Sequence, residues 1–221
     1  MDFSFSFFLE ALAAGLSAVP RSLFVALSAV AVGIVFGMGI AILRFYQVMF
    51  VEPVLKLLVT IVQGIPIILF YFVFYLFFVD FPAMPLVYIA SLSLVPPASI
   101  RLSEVFRGAL LSIDKSQFDA AYAIGHSEAA VFFRIILPQL VPVSIPPAIN
   151  IVIQMLKSVP IAMLIGLNDI LNTALLEATV NYRYLEAYFA AALIFWGLFI
   201  VIERASGQIE EHFKSVMRKS V

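Results

Sequence analysis

The sequence predicts an all-α polytopic membrane protein with five transmembrane helices. Three observations carry this. Of the 221 residues, 63% are hydrophobic and only 12% are charged, a balance outside that of soluble globular domains. Charge-free runs recur at 22–43, 57–79, 81–100, 135–156 and 187–202, and a helix needs about 20 apolar residues to cross a hydrocarbon core of roughly 30 Å. The alternating apolar and polar pattern of a transmembrane barrel is absent.

The N-terminal segment, 1–19, lacks the positively charged leader of a signal peptide. Phe3, Phe5, Phe7 and Phe8 give way to Leu9, Leu12, Leu16 and Val19 at helical spacing, with Glu10 on the polar side. That pattern predicts an interfacial helix on the outer surface. The transmembrane domain follows at 20–207. Its first span carries Ala29, Gly33, Gly37, Gly39 and Ala41, a small-residue face suited to close helix contact. The second is aromatic all round, with Phe70, Phe72, Phe74, Phe77 and Phe78 beside Tyr71 and Tyr75, and reads as a lipid-facing span with interfacial anchors.

Proline marks both ends of the next two spans: Pro82, Pro85, Pro96 and Pro97 in the third, Pro138, Pro142, Pro146 and Pro147 in the fourth. Broken helix is expected there, and the freed backbone groups then require protein or a wet cavity as neighbour. The fifth span is short unless Tyr184, Leu185 and Ala205 extend it, and 208–221 reads as a charged tail. With the N-terminus outside, Arg44, Lys56, Arg107, Lys115, Arg134, Arg204, Lys214, Arg218 and Lys219 fall on the cytoplasmic side, against Arg21 and Arg183 outside. The cation bias therefore predicts N-out, C-in.

Several function classes drop out. There is no cysteine, His126 and His212 are far apart, and no H-E-x-x-H or G-x-S-x-G motif occurs. A net charge of -1 offers no basic surface to nucleic acid. No G-x-x-x-x-G-K-S/T segment is present to cradle ATP.

Two regions invite a functional reading. The connection at about 112–136 is too apolar for a linker. Asp114 or Ser116 is placed to cap a short helix presenting Phe118, Ala121, Tyr122 and Ile124; Gly125 breaks it, and Ser127 caps a second helix opening with Glu128. A partner surface is expected to cover that helix. The other region is charged. Arg101, Glu104 and Lys157 sit within or beside the third and fourth spans, where ionisable groups face a partner or a cavity. Arg101 and Glu104, at i and i+3, are close enough to pair on one face. Asn150, Gln154 and Lys157, at i, i+4 and i+7, form one polar stripe that either lines a pathway or holds helices together by hydrogen bonds.

The spacing of these residues resembles a known family. Asp119, Ala120, Ala121, Gly125, Ile135, Leu137 and Pro138 are similar to the E-A-A, G, I-x-L-P signature of permease subunits of bacterial ABC importers, with Asp in place of the usual Glu. Gln63, Gly64 and Pro66 look like the R/Q-G-T-P stretch of that family. Glu104, Arg107 and Gly108 look like its E-x-x-R-G, and Pro146, Pro147, Asn150 and Lys157 like its P-P-x-x-N run ahead of a lysine. The match points to the polar amino acid subgroup, which has five spans.

The resemblance implies a type I ABC importer permease fold in the bacterial inner membrane. It implies that Phe118, Asp119, Ala120, Ala121, Ile124, Gly125 and Arg134 form the coupling region gripped by a cytoplasmic ATP-binding cassette subunit. That subunit uses the ATP; the permease itself needs no cofactor. An extracytoplasmic solute-binding protein is implied too, with the external residues Asp169, Glu177, Arg183 and Glu186 as candidates for its docking. Five spans are too thin to enclose a gated pathway, so a second permease chain, identical or not, is expected about a two-fold axis.

Carried over residue by residue, the substrate site comprises Arg101, Glu104, Asn150, Gln154, Lys157 and Ser158. Related permeases usually read K-D-T/S-S where this chain has Lys157, Ser158, Val159 and Pro160, so the acidic group wanted by a cationic amino acid is missing. Arg101 stands where many relatives have Tyr and some glutamate and aspartate permeases have Arg. Glutamate or aspartate is the expected substrate, with a neutral polar amino acid or cystine next. The alternative from the residues alone is a secondary transporter or channel, which predicts internal inverted repeats that the sequence does not display.

Overall fold

The computed structural model describes residues 3–81 and 84–219. Pro82 and the side chains of His212, Lys214, Arg218 and Lys219 lie outside the description. Among the described residues the chain is helical, with no strand.

Helix α1, Phe5–Ser17, starts where the Ser4 hydroxyl accepts from the Phe7 N–H. Helix α2, Val19–Phe45, follows with Pro20 in its first turn, a position that needs no N–H donor. The pair forms a nearly continuous run of 41 residues, about 60 Å at 1.5 Å per residue and so about twice the hydrocarbon thickness. One face of α1 (Phe7, Ala11 and Gly15) is buried against α9, Ile170–Ala178, and α10, Tyr184–Lys219.

The second expected span is two helices. Helix α3, Val51–Gly64, and helix α4, Ile67–Phe78, meet at 101°. Pro66 causes the break: it offers no N–H, and it pushes Ile65 into an extended conformation, φ -86° and ψ 126°. Neither half alone has a crossing's length. The aromatic face of α4 is also less uniform than expected, because Tyr71 is fully buried and its hydroxyl donates to the Ser158 carbonyl at 3.3 Å.

Helix α5, Leu86–Ser112, is continuous through Pro96 and Pro97, against the expectation of a break. Packing explains this. Leu94, Pro97, Ala98 and Leu102 are buried, and Gly33 and Gly37 of α2 bring the two backbones into close contact over the same stretch. Burial along the whole crossing outweighs the hydrogen bonds that two ring nitrogens remove. Gly39, by contrast, has open space where its side chain would be and is not part of the contact face.

The fourth span is irregular at both ends. Helix α6, Lys115–Ala123, and helix α7, Glu128–Val131, lead through a π turn at Phe132–Ile136 into helix α8, Leu137–Ser158, which ends in a 3-10 turn at Val159–Ile165. Gly166 closes that turn at φ +89°, a conformation favouring glycine.

Asp169 caps α9, accepting from the N–H groups of Leu171 and Asn172 at 3.1 and 3.0 Å, and is fully buried. Burial pushes its carboxyl above the ordinary 3.8, partly opposed by those hydrogen bonds. A raised carboxyl pKa means that the folded state holds its proton more tightly than the unfolded state. This group's contribution is therefore largest below 3.8 and declines as pH rises through the folded value. Asp169→Asn keeps a cap while removing the buried charge. Thermal unfolding in detergent should show the variant losing less stability than wild type over that pH rise, whereas Asp169→Ala should lose about 1 kcal/mol.

Candidate translocation face and coupling surface

Arg101 on α5 and Asn150, Gln154 and Lys157 on α8 all lie at the surface of the protomer. The Arg101 guanidinium donates to the Gln154 amide oxygen, bridging the two helices. The Lys157 ammonium sits 5.2 Å from the centre of the Phe199 ring of α10, a cation–π contact. Among the described residues neither cation has a carboxylate partner. A face with two such charges is costly against lipid tails, so water or protein covers it.

Two of the expected ligands are placed differently. The Arg101–Glu104 pair does not form. Glu104 instead binds Arg44 of α2 through one oxygen and Arg107, one turn along α5, through the other at 3.2 Å. The i, i+3 relation allows either neighbour, and Arg44 from a separate helix decides the direction. Ser158 is buried, and its hydroxyl donates back to the Gln154 carbonyl at 2.8 Å. Its side chain therefore reaches its own helix and not the polar stripe.

The candidate coupling segment has an inner and an outer side. Asp114 is the cap of α6, accepting from the Ser116 N–H at 2.8 Å, and those hydrogen bonds hold its carboxyl below 3.8. Ser127 caps α7. Gly125 takes φ +84° between them. Phe118 and Ala121 face inward, with Phe118 stacked on Phe45 at the end of α2, centroids 5.7 Å apart and planes 29° from parallel. Burial, with Tyr122 and Glu128 nearby, pushes the Tyr46 phenol above 10.0. Asp119, Ala120, Tyr122 and Ile124 are left facing outward, with Arg134 and Phe133 exposed beside the turn.

Sequence reasoning missed Arg44, Phe45, Tyr46 and Phe133. Arg44 was legible only as an end marker of the first span. On the side expected to face outward, Asp169 and Glu186 are buried and engaged, Glu186 accepting from the Ser4 N–H and Arg183 at 3.0 Å each. Glu177 is exposed, and Val180 and Tyr182 project furthest, 86% and 79% exposed. Among the described residues no three His, Cys, Asp or Glu side chains cluster as metal ligands do.

The family model for the inner membrane component of binding-protein-dependent transport systems matches residues 33–214. The chain belongs to this family. As such an inner membrane component, it resembles the probable amino-acid ABC transporter permease PatM of Vibrio harveyi, 27% identical over 92% of this chain and 93% of that one. It also resembles the L-cystine permease TcyL of Bacillus subtilis, 29% identical over 84% and 81%, and the probable glutamine permease GlnP of the same organism, 27% over 95% and 98%. Its fold matches a solved amino acid ABC transporter crystallised with histidines, with a TM-score of 0.84 and 23% identity over 96% of this chain and all of that one. The MetNI methionine transporter matches at TM-score 0.78 and 17% identity, covering 90% and 96%.

The permease is thus a multi-pass inner membrane protein with the fold of an ABC importer permease. Among the described residues four helices are long and apolar enough to cross a membrane, and the bent α3–α4 pair, counted as one span, makes five.

Proposed function

We propose that the permease moves an amino acid with surplus negative charge, glutamate or aspartate, by alternating access in an ATP-driven importer. The observation that carries this reading is the pair of cations on the translocation face. Among the described residues Arg101 and Lys157 have no carboxylate partner, and Glu104, one turn from Arg101, is held by Arg44 and Arg107. Arg101 can fork onto a carboxylate, Lys157 adds a point charge, and Asn150 and Gln154 offer amide hydrogen bonds. Relatives named for amino acids, cystine, glutamine and octopine support the broader solute class.

With no nucleotide motif of its own, the permease takes ATP energy from a separate cassette subunit docked on the outward face of α6. The cation distribution supports an N-terminus outside and a C-terminus in the cytoplasm. The solute-binding protein then meets the α9–α10 turn at Val180 and Tyr182, and a second permease chain closes the pathway opposite Arg101 and Lys157.

Uptake of labelled glutamate by proteoliposomes holding the complete importer tests the substrate. Excess unlabelled glutamate or aspartate should suppress it. Uptake that is suppressed by arginine or cystine and indifferent to glutamate contradicts the reading. The docking surface has its own test. Ile124, 74% exposed at the C-terminal cap of α6, is expected to act as an apolar anchor, and Ile124→Glu should weaken retention of the ATPase by about 2 kcal/mol or more. Co-purification of the tagged permease reads this directly, and unchanged ATPase recovery contradicts it.

A further inference from the structure

The cytoplasmic ends of α2, α5 and α6 are tied together by contacts that the uptake reading does not use. Along the membrane, α2 and α5 pack backbone to backbone: a Cβ on Gly37 would come 2.8 Å from the Ser99 carbonyl oxygen, and one on Gly33 would lie 3.1 Å from the Ala98 Cβ. At the inner end, Arg44 of α2 binds Glu104 of α5 with a side chain only 8% exposed. Its Nε is buried without a partner among the described residues, so Glu104 alone anchors the guanidinium. One residue further on, Phe45 stacks on Phe118 of α6. Although α6 follows α5 in the chain, Phe118 on its buried side rests on Phe45 of α2, within the apolar cluster that α2 and α5 share.

We propose that Arg44, Glu104 and Phe118 make α2, α5 and α6 one rigid lever, with Glu104 a positioning residue for coupling and the Arg101–Gln154 hydrogen bond the joint at which the lever moves against α8. Three features support this. Glu104 lies one turn from Arg101 on α5, so a displacement of the fastened end reaches Arg101 through a single helical turn. Arg101 crosses to α8 by one side-chain hydrogen bond beside the apolar packing that α5 shares with α8, whereas α5 meets α2 backbone to backbone, so the α5–α8 contact is the softer of the two. A solute carboxylate that takes Arg101 from Gln154 would release that joint, linking occupancy to the position of α6. The proposal rests on α6 being the element gripped by the ATPase.

The chain has no cysteine, so spin labels can be placed singly. Leu43 on α2, Leu111 on α5 and Val143 on α8 are exposed positions toward the inner side. In the complete complex in nanodiscs, distances are measured without nucleotide and with ATP and vanadate. The lever predicts a Leu43–Leu111 distance that is narrow and the same in both states, and a Leu111–Val143 distance that changes. Glu104→Gln should broaden the Leu43–Leu111 distribution, and Glu104→Asp, which retains the charge, should restore it.

In transport, Glu104→Gln should lower solute moved per ATP by about ten-fold with the uptake KM unchanged. A merely structural role would lower uptake and ATP hydrolysis in parallel. A Leu43–Leu111 distance that shifts with nucleotide, or one that stays narrow in Glu104→Gln, overturns the lever. If no pair responds to nucleotide in a complex that still hydrolyses ATP, the coupling role of α6 fails, and the lever fails with it. Nucleotide-dependent change in Leu111–Val143 without a rigid α2–α5 pair removes the lever and leaves the coupling role standing.

Discussion

Arg101→Ala is expected to reduce uptake, measured as kcat/KM in proteoliposomes, by roughly a hundred-fold, corresponding to about 3 kcal/mol. The size follows from position and chemistry. Arg101 bridges α5 and α8 on the protomer surface, is not neutralised by Glu104, and is the planar donor best suited to a carboxylate. Arg101→Lys should recover only part of the loss, because an ammonium holds the charge without the fork. Lys157→Ala should cost less, about ten-fold, since its ammonium already rests on Phe199 and contributes as a point charge. Yield of the complex and its basal ATP hydrolysis are the internal controls. Unchanged uptake in Arg101→Ala with normal assembly contradicts the assignment of this face to the solute.

Gly37→Ala is expected to have the largest structural effect. The added Cβ would lie 2.8 Å from the Ser99 carbonyl oxygen, 3.0 Å from the Leu102 Cβ and 3.1 Å from the Ser103 N. Two of those atoms are backbone in the middle of α5, and Ser103 and Leu102 are fully buried, so no flexible side-chain end can retreat. The helices must separate, at a cost of about 2 to 3 kcal/mol. Gly39→Ala, inside the same helix with nothing within 4 Å, is the matched control and should leave stability unchanged or raise it by up to about 1 kcal/mol. Thermal unfolding of both variants in detergent compares them under one condition. Equal stability of the two contradicts the close α2–α5 crossing.

Why some features were legible in the sequence and others were not follows from the physics of each. The spans could be placed because charges are scarce and mostly interrupt apolar runs near helix ends, as at Arg44, although Arg101 stands inside α5. Proline was a weaker guide. Pro66 breaks the chain sharply where little packs around α3, while Pro96 and Pro97 leave α5 continuous where α2 is pressed against it. Local sequence holds the same signal in both places, and tertiary burial decides the outcome.

At the charged face, periodicity gave the shared stripe of Asn150, Gln154 and Lys157. It could not show that Arg101 would turn to Gln154, because that bond joins residues 53 apart. Nor could it show Arg44, 60 residues from Glu104, displacing the local i, i+3 partner. On α6, Phe118, Ala121 and Ile124 are all apolar, so composition marks an interaction surface without saying which side is turned inward. Phe45 settles it by stacking on Phe118, leaving Asp119 and Ile124 outside.

The central claim is that this outward side of α6 is the handle of a separate ATPase. A density map of the intact assembly tests it most directly. The account predicts Asp119, Ala120 and Ile124 seated in a cleft of the ATPase, with Phe118 still stacked on Phe45. A map with that side of α6 bare and the ATPase attached elsewhere contradicts it.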